Sequence, residues 1–348
     1  MHVVSDSLAA GRAAGAAPPR VPAGDRSALP GAGALVIRPA ATVMLVRDAV
    51  EPEHDGGGLE VLMVRRNLQS DFVGGAYVFP GGAVDALDEG PEAEALCQGR
   101  TDPDASILLG LASGGLAYWV AALRETFEEA GLLLAERPGG PPLLAGDPLE
   151  GARLAAGRAA VNAGSRSFLD LCRDERLRLA VGEVHYFAHW ITPAGATRRY
   201  DTRFFVAAAP PGQEAGHDAG ETIAETWITP RRALECHRGG AFDLILPTVR
   251  NLQAISRFAN STELLEAARS AARSVPTIEP RVMADGTGVR IVLPGDAGYD
   301  DGGSDPPLGV VAGLDEATRA ASLAANRTGG ADGRGMEGAA PTGHGAAP

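Results

Sequence analysis

The sequence predicts a layered α/β domain, because short β-branched apolar runs alternate along the chain with segments of helical periodicity. The clearest helix is LAYWVAALRETFEEAGLLL, residues 116–134, where Trp119, Leu123 and Phe127 share one face and Gly131 lies near the end. The clearest strands precede it and flank a glycine-rich turn. Both periods occur in one stretch of chain, which favours a single domain.

The strands before this helix predict a hairpin followed by a third strand. ATVMLVRDA (41–49) and LEVLMVRR (59–66) are short, apolar and rich in β-branched residues, and HDGGG between them supplies the turn. AYVFPGG (76–82) is the third strand, and it ends at a Pro-Gly-Gly break.

The segments beyond residue 134 continue the alternation. Helices are predicted for GARLAAGRAAVNA (151–163), RSFLDLCRDERLRLA (166–180), RRALECHRGG (231–240), PTVRNLQAISRF (247–258) and STELLEAARSAA (261–272). Strands are predicted for residues 184–193, 199–210 and 225–230, and a late hairpin for 280–295. We therefore expect one domain over residues 34–300.

The two ends of the chain differ from this interior in composition. Residues 1–33 and 301–348 consist largely of Ala, Gly and Pro with few large apolar side chains. Segments of that kind bury too little apolar surface to offset the entropy of ordering. We expect an N-terminal segment and a C-terminal tail without fixed structure.

Charge and cysteine content narrow the functional classes. Lys and Arg number 31 against 44 Asp and Glu, a net charge of −13, so no basic surface is available for a nucleic-acid backbone. Three widely spaced cysteines argue against a disulfide framework or a zinc knuckle. No apolar run reaches signal-peptide or membrane-span length. These features predict a cytoplasmic protein that binds neither nucleic acid nor membrane.

The stretch RETFEEAG, residues 124–131, places three carboxylates on a predicted buried helix. Residues three and four apart share a helix face, so Glu125, Glu128 and Glu129 project toward one edge, with Arg124 one turn below Glu128. A solvated face with one ion pair is one interpretation. The other is a site for a hard divalent cation, Mg²⁺ or Mn²⁺, which prefers several oxygen ligands.

The context of this stretch resembles the Nudix hydrolases. Their box reads Gly, five residues, Glu, seven residues, then Arg-Glu-aliphatic-x-Glu-Glu-x-Gly-aliphatic, and RETFEEAGL fits the second half with only Thr126 at an aliphatic place. FPGG lies upstream, and five residues after Gly82 stands Asp88 rather than Glu. Between Asp88 and Arg124 lie 35 residues instead of seven, an insertion of 28 inside the box. The resemblance implies a Nudix-type α/β/α sandwich with a mixed β-sheet.

A box split in this way is similar to that of the long-insert, peroxisomal-type acyl-CoA diphosphatases. A related CoA pattern is partly visible in LMVRRNLQSDFVGGAYVFPGG, where Arg66, Gly75 and Val78 fit. Asn67 stands where Ser is expected, and Asp71 stands where the second Arg is expected. The resemblance therefore suggests coenzyme A specificity.

The resemblance also implies roles for individual residues. Glu125, Glu128 and Glu129 would hold Mg²⁺ or Mn²⁺, and Arg124 would orient Glu128. The catalytic set would be Glu128, Glu129 and Arg124. The substrate-binding residues would be Gly81, Gly82 and Arg66, the two glycines letting strand and helix pack closely near the phosphates. The general base stays open between Glu128, Glu129, Glu221 and Glu225.

The predicted function is metal-dependent hydrolysis of a nucleoside diphosphate-linked small molecule. Coenzyme A or acyl-CoA would give 3′,5′-ADP and a phosphopantetheine product. One alternative keeps the fold and changes the substrate to ADP-ribose, NADH or another nucleotide sugar. The other is a nucleotide sensor of Nudix fold without catalysis. A homodimer is left open.

Overall fold

The predicted hairpin lies at the centre of an eight-stranded mixed sheet. The computed structural model describes residues 36–49, 58–68, 74–139, 143, 148–196, 198–218, 220–285, 288–296 and 299. All of them belong to one unit, which begins at Val36. The predicted terminal segments, 1–33 and 301–348, lie outside these ranges, and the domain limits stay a prediction.

The strands of the described chain are short except in the centre of the sheet. They are β1 (Ile37–Asp48), β2 (Leu59–Arg66), β3 (Tyr77–Val78), β4 (Gly81–Ala83), β5 (Ala135–Glu136), β6 (Arg178–Leu179), β7 (His185–Ile191), β8 (Arg199–Ala208), β9 (Thr222–Ile228), β10 (Thr277–Ile278), β11 (Arg281–Asp285) and β12 (Gly288–Val292). The main sheet has the order β10-β7-β8-β1-β2-β3, with β4 on β1 and β9 on β2. β1 runs parallel to β8 and antiparallel to β2, so the sheet is mixed.

Eight α-helices accompany these strands in the described ranges. They are α1 (Pro91–Leu96), α2 (Asp102–Leu109), α3 (Leu116–Ala130), α4 (Pro148–Asn162), α5 (Phe168–Asp174), α6 (Pro230–Arg238), α7 (Leu246–Ile255) and α8 (Ser261–Ala271). None of them is long and apolar enough to cross a membrane.

The sheet is covered on both faces, as an α/β/α sandwich requires. Alternating residues of β1 point to opposite faces, because successive side chains of a strand do so. Val43 and Leu45 belong to the core that contains Trp119 of α3. Met44 and Val46 belong to a second core, formed with α6, α7 and α8. The helix with the three carboxylates therefore covers one face of the central hairpin.

Three predicted boundaries were wrong. The predicted third strand, 76–82, is two strands, since Pro80 lacks an N–H for the ladder; β3 pairs with β2 and β4 with β1. The helix predicted to reach residue 134 ends at Ala130, where Gly131 takes a left-handed φ of 71°. The predicted helix 166–180 ends at Asp174, and its last residues form β6.

Candidate active site

Helix α3 carries the charged stretch, and its apolar residues fix the direction of the carboxylates. Trp119, Leu123 and Phe127 are no more than 2% exposed and pack into the core. A helix anchored along that stripe presents its remaining face to the segment from β3 to β4, which contains FPGG. Glu129 is only 4% exposed, so this carboxylate is buried rather than solvated. The interpretation of a solvated helix face therefore does not describe Glu129.

Arg124 connects the charged groups of the site through its hydrogen bonds. Its guanidinium donates hydrogen bonds to Asp88 through Nε and Nη2, both at 2.9 Å, and to the carbonyl oxygen of Ala83 at 2.9 Å. Nη1 donates to Glu125 at 2.8 Å and to Glu128 at 3.4 Å. Burial alone would lower the pKa of Arg124, but the hydrogen bonds to Asp88 and the surrounding carboxylates raise it. Arg124 is thus a fixed cation that orients the carboxylates of Asp88, Glu125 and Glu128.

The two glycines of FPGG lie directly against the helix. The backbone N–H of Gly81 donates to Oε2 of Glu129 at 3.0 Å. A Cβ atom on Gly82 would lie 2.5 Å from Cδ of Glu125, and one on Gly81 would lie 2.4 Å from the carbonyl oxygen of Ala41. At Gly81 the obstacle is backbone, so the position requires glycine, whereas at Gly82 a larger residue would displace the carboxylate of Glu125.

The three glutamates of α3 carry more negative charge than Arg124 compensates. Burial raises the pKa of Glu125 to about 7, and the charges of Glu128 and Glu221 add to the rise. Burial also raises the pKa of Glu128, and it raises that of Glu129 well above its ordinary range, with Glu125 as the second cause. Such a cluster favours protons or a cation at neutral pH.

The donor set suits a hard divalent cation, because carboxylate oxygens are the ligands that Mg²⁺ and Mn²⁺ prefer. In the described part of the chain, however, no three His, Cys, Asp or Glu side chains are arranged to hold an ion as they stand. Two of the glutamates accept from Arg124 and the third accepts from Gly81. The chemistry of the donor set nevertheless fits a divalent metal ion.

Helix α4 supports the C-terminal end of α3, a contact that the sequence did not suggest. Arg158 donates to the carbonyl oxygen of Glu128 through Nε at 3.0 Å and Nη2 at 2.8 Å, and Asn162 donates to the same oxygen at 3.2 Å. These donors satisfy a carbonyl that a helix end leaves without an intrahelical partner. The only signal in the sequence is the spacing of Arg158 and Asn162, four apart on one helix face.

The loop before β9 is fastened to the same helix end. Gly216 donates its N–H to the carbonyl oxygen of Ala130 at 2.9 Å, and Gln213 exchanges two hydrogen bonds with the backbone of Leu133. The Thr222 hydroxyl contacts the carbonyl oxygen of Glu129 at 3.2 Å and Oδ1 of Asp218 at 2.8 Å. The loop therefore holds Glu221 at a fixed place beside the glutamates.

The two late carboxylates occupy different environments. Glu221 is exposed, but it lies near enough for its charge to raise the pKa values of Glu125, Glu128 and Glu129. Glu225 instead accepts hydrogen bonds from the ring and the backbone N–H of His217. The contacts with His217 therefore separate Glu225 from Glu221, two candidates that the sequence left equivalent.

Arg66 lies on β2 close enough for its charge to lower the pKa of Glu129. The backbone N–H of the next residue, Asn67, donates to the carbonyl oxygen of Glu221 at 2.8 Å. The predicted substrate-binding arginine and the predicted metal ligands therefore meet at one end of the sheet.

Comparisons with known proteins point to one superfamily. The model of the NUDT19 Nudix domain matches residues 110–255. Acyl-coenzyme A diphosphatase NUDT19 of Homo sapiens is 29% identical over 276 residues, which are 70% of this chain and 72% of that protein. The Gallus gallus protein of that name is 29% identical over 281 residues, 70% and 73% of the two chains.

A solved structure agrees with these relatives. The crystal structure of a Nudix hydrolase from Alicyclobacillus acidocaldarius superposes with a TM-score of 0.51 at 28% identity, and it covers 67% of this chain and 97% of that one. The matched family model and this solved structure are both of Nudix proteins. The predicted family, the α/β fold class and the enzyme class are thereby confirmed.

Asp88 joins the two separated parts of the Nudix box, because it contacts Arg124 in the folded chain. This carboxylate is 2% exposed and lies on Arg124, although 35 residues separate the two in sequence. Leu116, which strict counting back from Arg124 would put at the acidic position, is a core residue of 4% exposure. The inserted residues of the Nudix box contain α1 and α2, which the sequence analysis did not predict.

Proposed function

We propose that this Nudix hydrolase cleaves the diphosphate of coenzyme A or acyl-CoA, giving 3′,5′-ADP and phosphopantetheine or its acyl derivative. The observation that carries the proposal is the cluster of Glu125, Glu128, Glu129 and Glu221 near FPGG, whose crowded carboxylates suit a divalent cation. The choice of substrate is supported by the relatives named acyl-coenzyme A diphosphatase.

We assign Mg²⁺ or Mn²⁺ to Glu125, Glu128 and Glu129. A bound divalent cation would neutralise charge on the diphosphate and lower the pKa of the attacking water. Arg124 is a positioning residue in this scheme, since it holds Glu125 and Glu128 by hydrogen bonds and is itself held by Asp88. Arg66 supplies positive charge close to Glu129 and is assigned to a substrate phosphate.

Glu221 is the general base that we favour. It lies among the glutamates of α3, and its loop is fastened by Gly216 and Thr222. Glu225 already accepts two hydrogen bonds from His217, so its carboxylate is engaged outside the cluster.

The test is product analysis by mass spectrometry after incubation with Mg²⁺ or Mn²⁺. Coenzyme A, acetyl-CoA, ADP-ribose and NADH are supplied as a mixture and then singly. The expected result is 3′,5′-ADP with a phosphopantetheine product. AMP from ADP-ribose or NADH would keep the enzyme class and replace the substrate, whereas no cleavage of any compound would favour the nucleotide sensor.

Two variants separate chemistry from folding. Glu129→Gln keeps the shape of the side chain and removes its charge, and we expect turnover to fall by about a hundredfold. Glu266→Gln is the matched control, because Glu266 is exposed on α8, on the opposite face of the sheet. Nucleotide binding with unchanged slow turnover in Glu129→Gln would favour the sensor. The cytoplasmic location and the homodimer stay predictions.

A further inference from the structure

A cavity of about 450 Å³ lies beside Leu96, at the end of α1 in the inserted segment. Its charged lining consists of four arginines, Arg137, Arg173, Arg176 and Arg178, and contains no carboxylate. The chain as a whole carries a net charge of −13, so a concentration of positive charge in a concave site is unusual for this protein. The volume lies in the range typical of small-molecule sites.

The four arginines of the cavity come from three elements of the fold. Arg137 directly follows β5, Arg178 lies on β6, and Arg173 and Arg176 lie at the C-terminal end of α5. The insertion supplies Leu96 at the end of α1, and Nη1 of Arg178 donates to the carbonyl oxygen of Ala95. The insertion therefore helps to build this site.

The counter-charges around the cavity are unevenly distributed. Arg137 pairs with Glu150 at 2.8 Å. Arg173 pairs with Glu92 at 3.2 Å and with Asp170.

Arg176 and Arg178 have no carboxylate partner within the ranges that the structure describes. At least two guanidinium groups are thus available to an external anion, with two more on the cavity wall.

The backbone at Arg176 gives a second, independent observation. Arg176 has a φ of 56° and is the one non-glycine residue with positive φ in the described chain. Leu177 donates to the carbonyl oxygen of Cys172 at 2.8 Å and Arg176 donates to that of Arg173 at 3.1 Å. This is the Schellman pattern of helix ends, whose left-handed position is usually glycine.

An arginine at this position costs backbone strain that glycine would avoid. Attraction between a cation and the C-terminal dipole of the helix explains a preference for positive charge there. It does not explain Arg137 and Arg178, which belong to other elements and line the same space. Strain retained at one residue of a cavity is typical of a binding site.

We propose that this four-arginine cavity is a binding site for a small phosphorylated anion, separate from the diphosphatase site. Guanidinium groups match phosphate oxygens in bidentate geometry and stay charged at every physiological pH. Arg176 and Arg178 make the principal contacts, and Arg137 and Arg173 add charge from the wall. The site depends neither on a metal nor on the hydrolytic reaction.

The test is titration calorimetry of the full-length protein with inorganic pyrophosphate in EDTA. Under these conditions the acidic glutamates of α3 have no metal through which to attract an anion. Wild-type protein is expected to bind pyrophosphate in the micromolar range. Its affinity should fall as the salt concentration rises, because salt screens the attraction between the arginines and the anion. Glu129→Gln should bind pyrophosphate like the wild type, which separates this site from the proposed hydrolytic one.

Arg176→Gly is the decisive variant, because glycine relieves the strain while it removes the charge. We expect its thermal midpoint to equal or exceed that of the wild type and its pyrophosphate affinity to fall by about tenfold or more. Arg178→Gln should also weaken binding. Arg250→Gln, on the exposed side of α7, is the control for a general loss of positive charge.

Unchanged affinity in Arg176→Gly and Arg178→Gln would overturn the proposal, and so would the absence of binding by the wild type at millimolar pyrophosphate. Competition by 3′,5′-ADP or by coenzyme A would identify the source of the phosphate as a product or the substrate. Competition by neither, with pyrophosphate still bound, would identify a separate phosphorylated effector.

Discussion

Arg124 and Asp88 form a buried, two-point ion pair, with Nε–Oδ1 and Nη2–Oδ2 distances of 2.9 Å each. The pair joins residues 36 positions apart and spans the inserted segment of the Nudix box. Because the same guanidinium also binds Glu125 and Glu128, a change at Asp88 reaches the glutamates through Arg124. The shape of the site therefore depends on a contact that closes over the insertion.

Asp88→Asn is expected to destabilise the protein by about 3 kcal/mol, because it leaves a buried arginine with an incomplete partner. Glu125 and Glu128 lose their fixed cation, so turnover should fall as well. Urea unfolding and steady-state kinetics measure the two effects. Glu89→Gln, at the exposed next position, is the control and should change neither. Wild-type stability in Asp88→Asn would contradict the role of this pair.

Gly82→Ala is expected to lower turnover by about tenfold or more with little loss of stability. The new Cβ would lie 2.5 Å from Glu125, and the end of that side chain can move away, so the fold survives while the carboxylate is displaced. Gly58→Ala serves as control, since its Cβ would meet only a carbonyl oxygen at 3.9 Å. Thermal unfolding and kcat are measured on both. Full activity in Gly82→Ala would show that the position of Glu125 does not matter.

Glu221→Gln is expected to lower kcat by about a hundredfold or more if it is the general base. Glu225→Gln should have a smaller effect, since Glu225 is engaged with His217. The two variants are compared over a pH series, because loss of a base removes the acidic limb of the profile whereas a structural change lowers it at every pH. The reverse order of effects would assign the base to Glu225.

Arg158→Lys is expected to weaken activity by several-fold while keeping the charge. Lysine provides no planar fork, so the two hydrogen bonds to the carbonyl oxygen of Glu128 cannot both be kept. The end of α3 and the loop that carries Glu221 should then show faster amide exchange, which hydrogen-exchange mass spectrometry detects. Arg153→Gln, on the same helix but half exposed and paired with Glu175, is the control. Equal exchange in both variants would contradict a positioning role.

Metal-free protein should lose stability as the pH rises from 5 to 7.5. The pKa of Glu125 is raised to about 7, chiefly by burial, against about 4.3 in an unfolded chain. Between these values the folded protein keeps a proton that the unfolded chain has released, so the free energy of unfolding decreases with pH. We expect a difference of roughly 1–3 kcal/mol between wild-type and Glu125→Gln protein over this range in EDTA.

Urea unfolding at several pH values checks this expectation. Glu125→Gln should show the smaller decline with pH, and Glu266→Gln should follow the wild type. Parallel curves for wild type and Glu125→Gln would contradict the raised pKa. Addition of Mg²⁺ or Mn²⁺ should restore stability at pH 7.5 in the wild type, because a ligand that binds only the folded state stabilises it.

Most elements at the centre of this fold could be predicted from the sequence alone. The β1–β2 hairpin, helix α3 and the late hairpin follow from patterns that repeat over several residues, and all three were predicted. The superfamily followed from RETFEEAGL after FPGG, because those residues have a fixed spacing on one helix and one turn.

Short or locally strained elements could not be predicted from the sequence. Helices α1 and α2 have six and eight residues, too few for a periodic signal. The end of α5 was missed because Arg176 takes a conformation for which glycine is the usual signal.

Only the tertiary structure decided which charged side chains lie next to one another. It placed Asp88 on Arg124 and Glu221 beside the glutamates of α3, and it gathered four arginines from three elements around one cavity. Spacing in sequence determines which residues share a face of one element. The distances between charges on different elements, and the loss of water around them, arise only when those elements pack.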